Sequence, residues 1–513
     1  MSTTSDNNKR IAKNTLFLYF RMILVMGVSL YTSRLILNAL GVNDYGIYNV
    51  VGGLVAMFGI ISGSLSAAVS RFLTYEMGRN DLKRLKIVFA TSFTSQLIIG
   101  AIVLIVAEFV GIWFLNQKMN IAQENMFGAN WVLQCSIITF VISIIMVPFM
   151  ALIIAHENMK IFSLISIVEV LMKLGIVCSL YLINENRLIY YSVFILVMTI
   201  IVNCAYLIYC NKSYIESRQR VGFDRKLIKQ MASFAGWNFI GATSGILRNQ
   251  GNNVILNLFF NTAINAAYGI AMQVGGAVSQ FANNFMVAVN PQITKYYAQK
   301  EMTPLWGLVN RSSKFSFFLV MIFTMPILLN TEPVLSLWLG VVPEQAVIFT
   351  QLALLFCLSE TISSPLITLQ LANGNIRNYQ IIVGGLQLMN LPISYFLLKI
   401  SSNSSIPLIV ALIISQFCFI ARLIMLRNMT NLDISRFIRD VYLRVIGVGL
   451  IAFAGSMIVK IINPVESIWT LFLDCVVIIA WCGLIIIGGG CTSNERKILL
   501  NKAKFVCTKF INR

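Results

Sequence analysis

The sequence predicts an all-α polytopic membrane protein with about 14 transmembrane helices, arranged as two parallel six-helix lobes plus a C-terminal helix pair. Composition, a series of long apolar runs and an internal repeat lead to this prediction. Of the 513 residues, 58% are hydrophobic and 12% are charged, and the mean hydropathy is +0.79. Soluble domains carry about 25% charged residues, and disordered chains have low hydrophobicity. The composition therefore excludes a water-soluble enzyme and a disordered chain.

Apolar stretches of about 20 residues, the length that crosses the hydrocarbon core of a bilayer, can be placed 14 times along the chain. They cover residues 14–38, 45–70, 87–115, 128–155, 161–183, 188–209, 232–257, 264–290, 315–339, 346–370, 380–399, 406–426, 441–462 and 468–489. Backbone polar groups in lipid must be satisfied within their own segment. Each stretch is therefore predicted to be a helix.

The charges of the connecting segments set the orientation of these helices. With both termini inside, the cytoplasmic segments contain 29 Lys and Arg residues and the external loops contain three. This asymmetry follows the positive-inside rule and predicts cytoplasmic N- and C-termini. A formal net charge of +19 on a soluble protein would suggest nucleic acid, but no basic stripe interleaved with exposed aromatics occurs. Nucleic acid is therefore not an expected partner.

Several chemical functions lack their sequence signals. The ten cysteines show no CxxC or Cys/His spacing, and His156 is the only histidine, so neither a disulfide framework nor a metal site is expected. The motif GxxxxGK[ST] is absent, which excludes a nucleotide-hydrolysing site of the P-loop type within the chain. The predicted external loops are short, which argues against a membrane-embedded polysaccharide polymerase or ligase. No catalytic residue is predicted.

An internal repeat relates the two halves of the chain. The pattern YGIxxxVGG occurs at residues 45–53 and again at 268–276, and Ile-Leu-Asn precedes it at 36–38 and 255–257. Six predicted helices, an even number, separate the copies, so the halves have the same orientation and form a parallel repeat. Parallel lobes around a central cavity are the architecture of alternating-access carriers.

These features divide the chain into five segments. They are an N-terminal lobe of six helices (1–210), a basic cytoplasmic linker (211–231), a C-terminal lobe of six helices (232–426), an extra helix pair (427–489) and a basic cytoplasmic tail (490–513).

With its helix count, parallel lobes and YGI motif, the chain resembles the MATE-like superfamily of multidrug/oligosaccharidyl-lipid/polysaccharide exporters, and within it the Wzx-type polysaccharide, or O-antigen, flippases. Four features carry the resemblance: Asp44-Tyr45-Gly46-Ile47-Tyr48, Arg71-Phe72, Asn290-Pro291, and Pro365…Gly374…Arg377-Asn378-Tyr379-Gln380. The resemblance covers essentially the whole chain.

The resemblance implies a multi-pass protein of the bacterial inner (plasma) membrane that moves undecaprenyl-pyrophosphate-linked oligosaccharide to the outer leaflet without modifying it. The cargo would be an O-antigen (lipopolysaccharide) or capsular repeat unit, and polysaccharide-assembly proteins are expected partners beside the lipid bilayer. No cofactor is expected other than H⁺ or Na⁺ as a coupling ion. A peptidoglycan lipid-precursor flippase and a multidrug antiporter remain alternatives.

Arg248 is the leading candidate for recognition of the cargo. It lies about nine residues from the outer end of its helix, roughly 14 Å deep. It opens the polar run Arg248–Asn253, which includes Asn249 and Asn252 and cannot all face lipid. A guanidinium can hold a pyrophosphate in bidentate fashion, whereas the alternative is a structural pair with a buried acid.

Other intramembrane charges have two interpretations each. Glu169 and Lys173, at i and i+4, either neutralise each other or provide a second phosphate contact and an ion-coupling carboxylate. Glu360 either binds H⁺ or Na⁺ or pairs with a cation such as Arg248. Arg21 either faces the lumen or snorkels, and Arg422, close to a helix end, is expected to snorkel.

Amide side chains are candidates for contacts with sugar hydroxyls. Gln273 and Asn284 lie on the eighth predicted helix, as do Asn283 and Asn290. Amides offer both donors and acceptors to a sugar, but hydrogen bonding between helices is an equal alternative. Seven intramembrane Lys and Arg residues against two mid-helix acids favour an anionic cargo.

Overall fold

The computed structural model describes residues 4–56, 59–117, 123–183, 185–218, 222–260, 262–339, 342–462, 467–492 and 495–496. Within these ranges the long elements are 15 helices. They are α1 (Thr4–Ala56), α2 (Gly59–Gly78), α3 (Leu82–Gln117), α4 (Met126–Ala155), α5 (Met159–Leu180), α6 (Arg187–Ser213), α7 (Arg225–Phe259), α8 (Thr262–Ala298), α9 (Met302–Leu329), α10 (Thr331–Leu339), α11 (Ala346–Asn373), α12 (Arg377–Ile400), α13 (Ile406–Thr430), α14 (Ile434–Ile461) and α15 (Ile468–Gly490). The predicted all-α class is confirmed.

Eleven helices in the described ranges are long and apolar enough to cross a membrane. Three of the 14 predicted spans are not among them. The span 45–70 runs through residues 57 and 58, which lie outside the described residues. The spans 232–257 and 264–290 are helical, as parts of α7 and α8, but these helices are rich in amides and glycines. A total of about 14 membrane-crossing helices thus combines apolar helices with polar ones that must face protein or water.

Large apolar side chains on the outside of the bundle mark the lipid-facing surface. Ile102 and Phe109 of α3 and Trp469 and Phe472 of α15 are between 55% and 82% exposed. Apolar side chains as large and as exposed as these would favour aggregation of a soluble protein, whereas in a bilayer they face hydrocarbon at no cost. The chain is therefore a multi-pass membrane protein.

Local sequence explains several helix ends. α1 is kinked at Gly41, whose φ of 77° is available to glycine, and the first YGI motif follows four residues later. The second YGI motif likewise follows a break, between Phe259 and Thr262. The predicted span 315–339 is two helices, because Pro333 cannot continue α9 and instead lies in the first turn of α10.

The helices form two compact units. Unit 1 contains Met1–Thr243, Val287–Glu301 and Leu371–Arg377, and unit 2 contains Ser244–Met286, Met302–Gln370 and Asn378–Arg513. The first copy of the repeat is in unit 1 and the second copy is in unit 2. The unit boundaries cut α7, α8, α11 and α12, so the units do not coincide with the predicted lobes, and the five-segment division stays a prediction.

Each unit has its own apolar core. In unit 1 one cluster joins α2, α3, α4, α6 and the start of α7, with Phe89 packed edge-on against Phe149 at 5.2 Å between ring centroids. In unit 2 a cluster around Tyr268 and Phe349 joins α7, α8, α10, α11 and α13. The second core packs directly beside the polar residues described next.

Candidate functional site

The polar run of α7 borders a cavity of about 560 Å³ that lies wholly within unit 2. Helices α7, α8, α11 and α13 form its walls. Its polar lining consists of Arg248, Asn249, Gln250, Asn252, Asn253, Tyr268, Ser279, Asn283, Glu360, Thr361 and Ser364. Such a mixture of amides, hydroxyls and charges is unusual among helices of this hydropathy, and it accounts for the polar character of α7.

The Arg248 guanidinium is held on one edge and stacked on one face. Its Nε and Nη2 each donate to Oδ1 of Asn249 at 3.2 Å, and its Cζ lies 4.6 Å from the ring centroid of Phe356. Among the described residues its other terminal nitrogen, Nη1, has no hydrogen-bond acceptor. A guanidinium fixed in this way keeps a free fork edge with which it can bind an oxyanion.

The second copy of the repeat builds one wall of this cavity. Gly269, Gly275 and Gly276 line it, and the hydroxyl of Tyr268 donates to the backbone oxygen of Asn249 at 3.2 Å. Glycines at these positions leave space that larger side chains would fill, while Tyr268 fixes the polar turn of α7. The repeated motif therefore shapes the site as well as marking the repeat.

Glu360 lines the cavity and pairs with Arg422 behind it. The distance from Arg422 Nη1 to Glu360 Oε1 is 3.6 Å, and Arg422 Nε lies 3.4 Å from the hydroxyl of Tyr379. The expectation that Arg422 snorkels is wrong, because its side chain is only 1% exposed. The charge of Arg248 also interacts with Glu360, although no ion pair within 4.0 Å joins them in the described part of the chain. The carboxylate of Glu360 is thus the counter-charge of both Arg422 and Arg248.

A comparable charge cluster lies in unit 1. The carboxylate of Glu169 interacts electrostatically with Arg21 first and with Lys173 second. The Arg21 guanidinium lies over the ring of Phe162, 4.8 Å from its centroid, and its buried Nε has no hydrogen-bond partner among the described residues. The structure brings these three predicted residues together, and Glu169 interacts with Arg21 of another helix as well as with Lys173 at i+4.

Two predicted amides do not line the cavity of unit 2. Gln273 is exposed, and Asn284 donates to the backbone oxygen of Gln280 at 2.9 Å. The wall of α8 instead presents positions 268, 272, 275–276, 279 and 282–283, which follow helical spacing from the YGI motif. That period, counted from Tyr268, selects Asn283 and excludes Gln273 and Asn284.

Sequence analysis missed a buried ionic cluster at Glu157. This residue follows α4, its side chain is 0% exposed, and its carboxylate accepts from Arg10 at 2.8 Å, Lys295 at 2.5 Å and Gln292 at 2.6 Å. Its backbone oxygen accepts from Asn14. All five residues belong to unit 1. The partners of Glu157 lie in α1 and α8, far from it in sequence, so no local sequence pattern could have indicated them.

Comparison with known proteins supports the resemblance drawn from the sequence motifs. Residues 11–297, more than half of the chain, match the family model described as polysaccharide biosynthesis protein. The chain is 18% identical over 320 residues to the uncharacterized membrane protein EpsK of Bacillus subtilis (strain 168), covering 62% of this chain and 63% of EpsK. The chain thus matches less than two thirds of the length of this relative.

Solved structures share its fold. An outward-facing multidrug resistance MATE family transporter of the MOP superfamily has a TM-score of 0.68 at 11% identity, over 82% of this chain and 96% of that one. A MOP superfamily transporter from Pyrococcus furiosus has a TM-score of 0.67 at 12% identity, over 83% and 96%. A mutant of the Vibrio cholerae MATE transporter VcmN has a TM-score of 0.62 at 16% identity, over 83% and 98%. The chain is therefore a MATE-fold membrane protein that belongs to the polysaccharide biosynthesis protein family.

Proposed function

We propose that this protein transports undecaprenyl-pyrophosphate-linked oligosaccharide, an O-antigen or capsular repeat unit, across the bacterial inner membrane by alternating access. The family match supports a role in polysaccharide biosynthesis, and the MATE fold supports transport without chemistry on the cargo. The orientation proposed has both termini in the cytoplasm, which the 29-to-3 distribution of Lys and Arg supports. The partners are the lipid-linked cargo, the bilayer and polysaccharide-assembly proteins.

The observation that carries the proposal is the free fork edge of Arg248 in the cavity of unit 2. A pyrophosphate offers oxygens that match a guanidinium, and the surrounding amides of Asn249, Asn252 and Asn283 offer both donors and acceptors to sugar hydroxyls. A multidrug antiporter for cations would need an excess of acid here. Glu360 is the one acid that lines the cavity among the described residues, and it is already paired with Arg422.

Coupling to an ion is part of the proposal. H⁺ or Na⁺ would act at Glu360 or Glu169, since each carboxylate is the single acid of its charge cluster in the described residues. Neutralising either carboxylate would leave two cations without a counter-charge, which raises the affinity for an anionic cargo. An ion that binds and leaves could thereby alternate the protein between cargo-binding and cargo-releasing states.

Replacement of Arg248 tests the proposal. In liposomes with purified protein and lipid-linked oligosaccharide, Arg248→Ala should abolish the change of leaflet while the mass of the cargo stays constant. Arg248→Lys should retain part of the activity, because the charge survives but the fork does not. Arg311→Ala serves as a matched control, since Arg311 donates to Gly307 in its own helix and does not line this cavity.

Abundance of each variant in the membrane must be measured together with transport. A merely structural Arg248 would show as lost folding, because its hydrogen bonds to Asn249 and its stacking on Phe356 would be lost. Normal abundance with normal transport in Arg248→Ala would refute the cation site. A covalent change of the cargo that depends on the protein would refute transport and favour a polymerase or ligase.

A further inference from the structure

A second cavity, about 800 Å³ in volume, lies in unit 1, and its lining shares no residue with the charge clusters described above. It is formed by the end of α2, the start of α3, the start of α7 and the turn at residues 373–375. Five cations and one carboxylate line it: Arg71, Arg79, Arg84, Lys226, Lys229 and Glu76. We call it the basic cavity. The charge pattern of the loops predicts that it opens on the cytoplasmic side.

Arg71 is fixed in the wall of the basic cavity. Its Nε and Nη2 donate to the backbone oxygen of Ala372 at 3.3 and 2.8 Å, and its Cζ lies 4.5 Å from the ring centroid of Phe72 and 4.7 Å from that of Tyr75. Within the described part of the chain its Nη1 has no acceptor. An anion that binds there meets a donor whose position is already set, so little ordering is needed on binding.

The positive charge of the basic cavity is largely uncompensated. Arg84 pairs with Asp224 at 2.9 Å, but Arg79, Lys226 and Lys229 have no ion pair with any described residue. Glu76 is 8% exposed and interacts electrostatically with Arg79, Arg84 and Arg71, while its Oε2 has no hydrogen-bond partner in the described ranges. One carboxylate therefore faces several cations and leaves positive charge in excess.

This arrangement differs from ordinary positive-inside charges. Lys83, Lys160 and Lys212 are cations of the predicted cytoplasmic side that line none of the cavities described here. They are exposed, as are Arg79, Lys226 and Lys229 of the basic cavity, so exposure does not separate the two groups. The cations of the basic cavity instead converge from three helices on one concavity. Basic pockets between helices at the cytoplasmic side of a membrane suit lipid headgroups.

We propose that the basic cavity binds a phosphate-bearing anion. The arginines provide directional N–H donors and the two lysines provide mobile point charges, a combination that matches phosphate oxygens better than a single carboxylate. The phosphate can belong to the headgroup of an anionic lipid in the adjacent leaflet or to a soluble phosphate compound. This site is separate from the cavity of unit 2, and its occupancy does not require transport.

Binding measurements on the full chain in nanodiscs distinguish the two sources. In one arm, protein in phosphatidylcholine nanodiscs is titrated with inorganic pyrophosphate by calorimetry. In the other arm, nanodiscs contain phosphatidylglycerol, and the lipid that stays bound on release of the protein is quantified by native mass spectrometry. The test variant is Arg79→Gln/Lys226→Gln/Lys229→Gln. The control is Lys83→Gln/Lys160→Gln/Lys212→Gln, which removes the same charge from exposed positions outside the basic cavity.

In the arm where the wild type binds, the test variant should bind at least about tenfold more weakly, because each Lys or Arg near an anionic surface contributes roughly fivefold in affinity. The control should stay within about twofold of the wild type, because its lysines do not line the basic cavity and so do not contact an anion bound there. Binding that the test variant weakens in the pyrophosphate arm alone identifies a soluble ligand, and binding that it weakens in the lipid arm identifies a headgroup. Equal losses in the test and control variants, or no binding by the wild type in either arm, would overturn the proposal.

Discussion

Replacing the buried carboxylate of Glu157 should destabilise unit 1 strongly. In Glu157→Gln the side chain keeps its shape but loses the charge that Arg10 and Lys295 share, at 2.8 and 2.5 Å. Gln is preferable to Gly or Asn here, because Glu157 has φ 59°, where Gly and Asn would relieve backbone strain and mask the loss.

The magnitude follows from the burial of each partner. Lys295 is 17% exposed in its side chain, so its contact with Glu157 is a largely buried ion pair whose disruption costs about 3–5 kcal/mol. Arg10 is 43% exposed, and solvent screening limits its share to at most about 1 kcal/mol. A loss of about 3 kcal/mol should lower the melting temperature of a unit of this size by roughly 6 °C or more.

Thermal unfolding of purified protein in detergent provides the assay, and Glu185→Gln provides the control because Glu185 is exposed. The double variant with Lys295→Met isolates the ion pair. In the Lys295→Met background, Glu157→Gln should cost less than in the wild type by about 0.5–3 kcal/mol. A melting temperature within about 2 °C of the wild type, or equal losses in both backgrounds, would refute this account.

Two further predictions concern packing and pH. Burial alone would raise the pKa of Glu495, but hydrogen bonds from a backbone amide three residues earlier and from Lys314 hold this pKa below its ordinary value. The pair of Lys314 and Glu495 therefore adds stability at neutral pH that is lost as pH falls below about 4.5. The melting temperature of Glu495→Gln should vary less between about pH 3 and 6 than that of the wild type. Equal variation in the two proteins would contradict this. Gly374→Ala should cost about 1–3 kcal/mol, because φ is +83° and a Cβ would lie 2.5 Å from Arg71 Nη2, whereas Gly385→Ala, with open space, should melt like the wild type. Equal melting of the two alanine variants would contradict the steric argument.

Sequence alone predicted the fold class because membrane helices depend on local composition. Apolar length, loop charge and the repeat are each read within a single segment or by direct comparison of two segments. The same locality identified Arg248, since its polar run cannot face lipid. It also selected Glu360 and Glu169, because an acid within an apolar run is visible without knowledge of its neighbours.

The partners of these charges depended on tertiary structure. Arg422 lies close to a helix end, where snorkelling is the local expectation, yet it is buried because α13 packs its side chain against Glu360 and Tyr379. Glu157 falls between the predicted spans 128–155 and 161–183, where a loop is expected. Its partners on α1 and α8 are set by the packing of helices distant in sequence. The helical periodicity of α8 was the remaining signal. Counted from Tyr268, it indicates Asn283 and not Gln273 as a residue that lines the cavity.

The charge clusters of the two units are each compatible with the proposed anionic cargo. Glu360 serves Arg248 and Arg422 in unit 2, while Glu169 serves Arg21 and a neighbouring lysine in unit 1. A lone cation inside a membrane is costly, and an ideal one-to-one pair leaves nothing for a ligand. One carboxylate shared by two cations lowers the cost of both and still leaves one positive charge in excess. Structural pairing and anion binding are therefore compatible roles of the same residues, as the proposed transport of an anionic cargo requires.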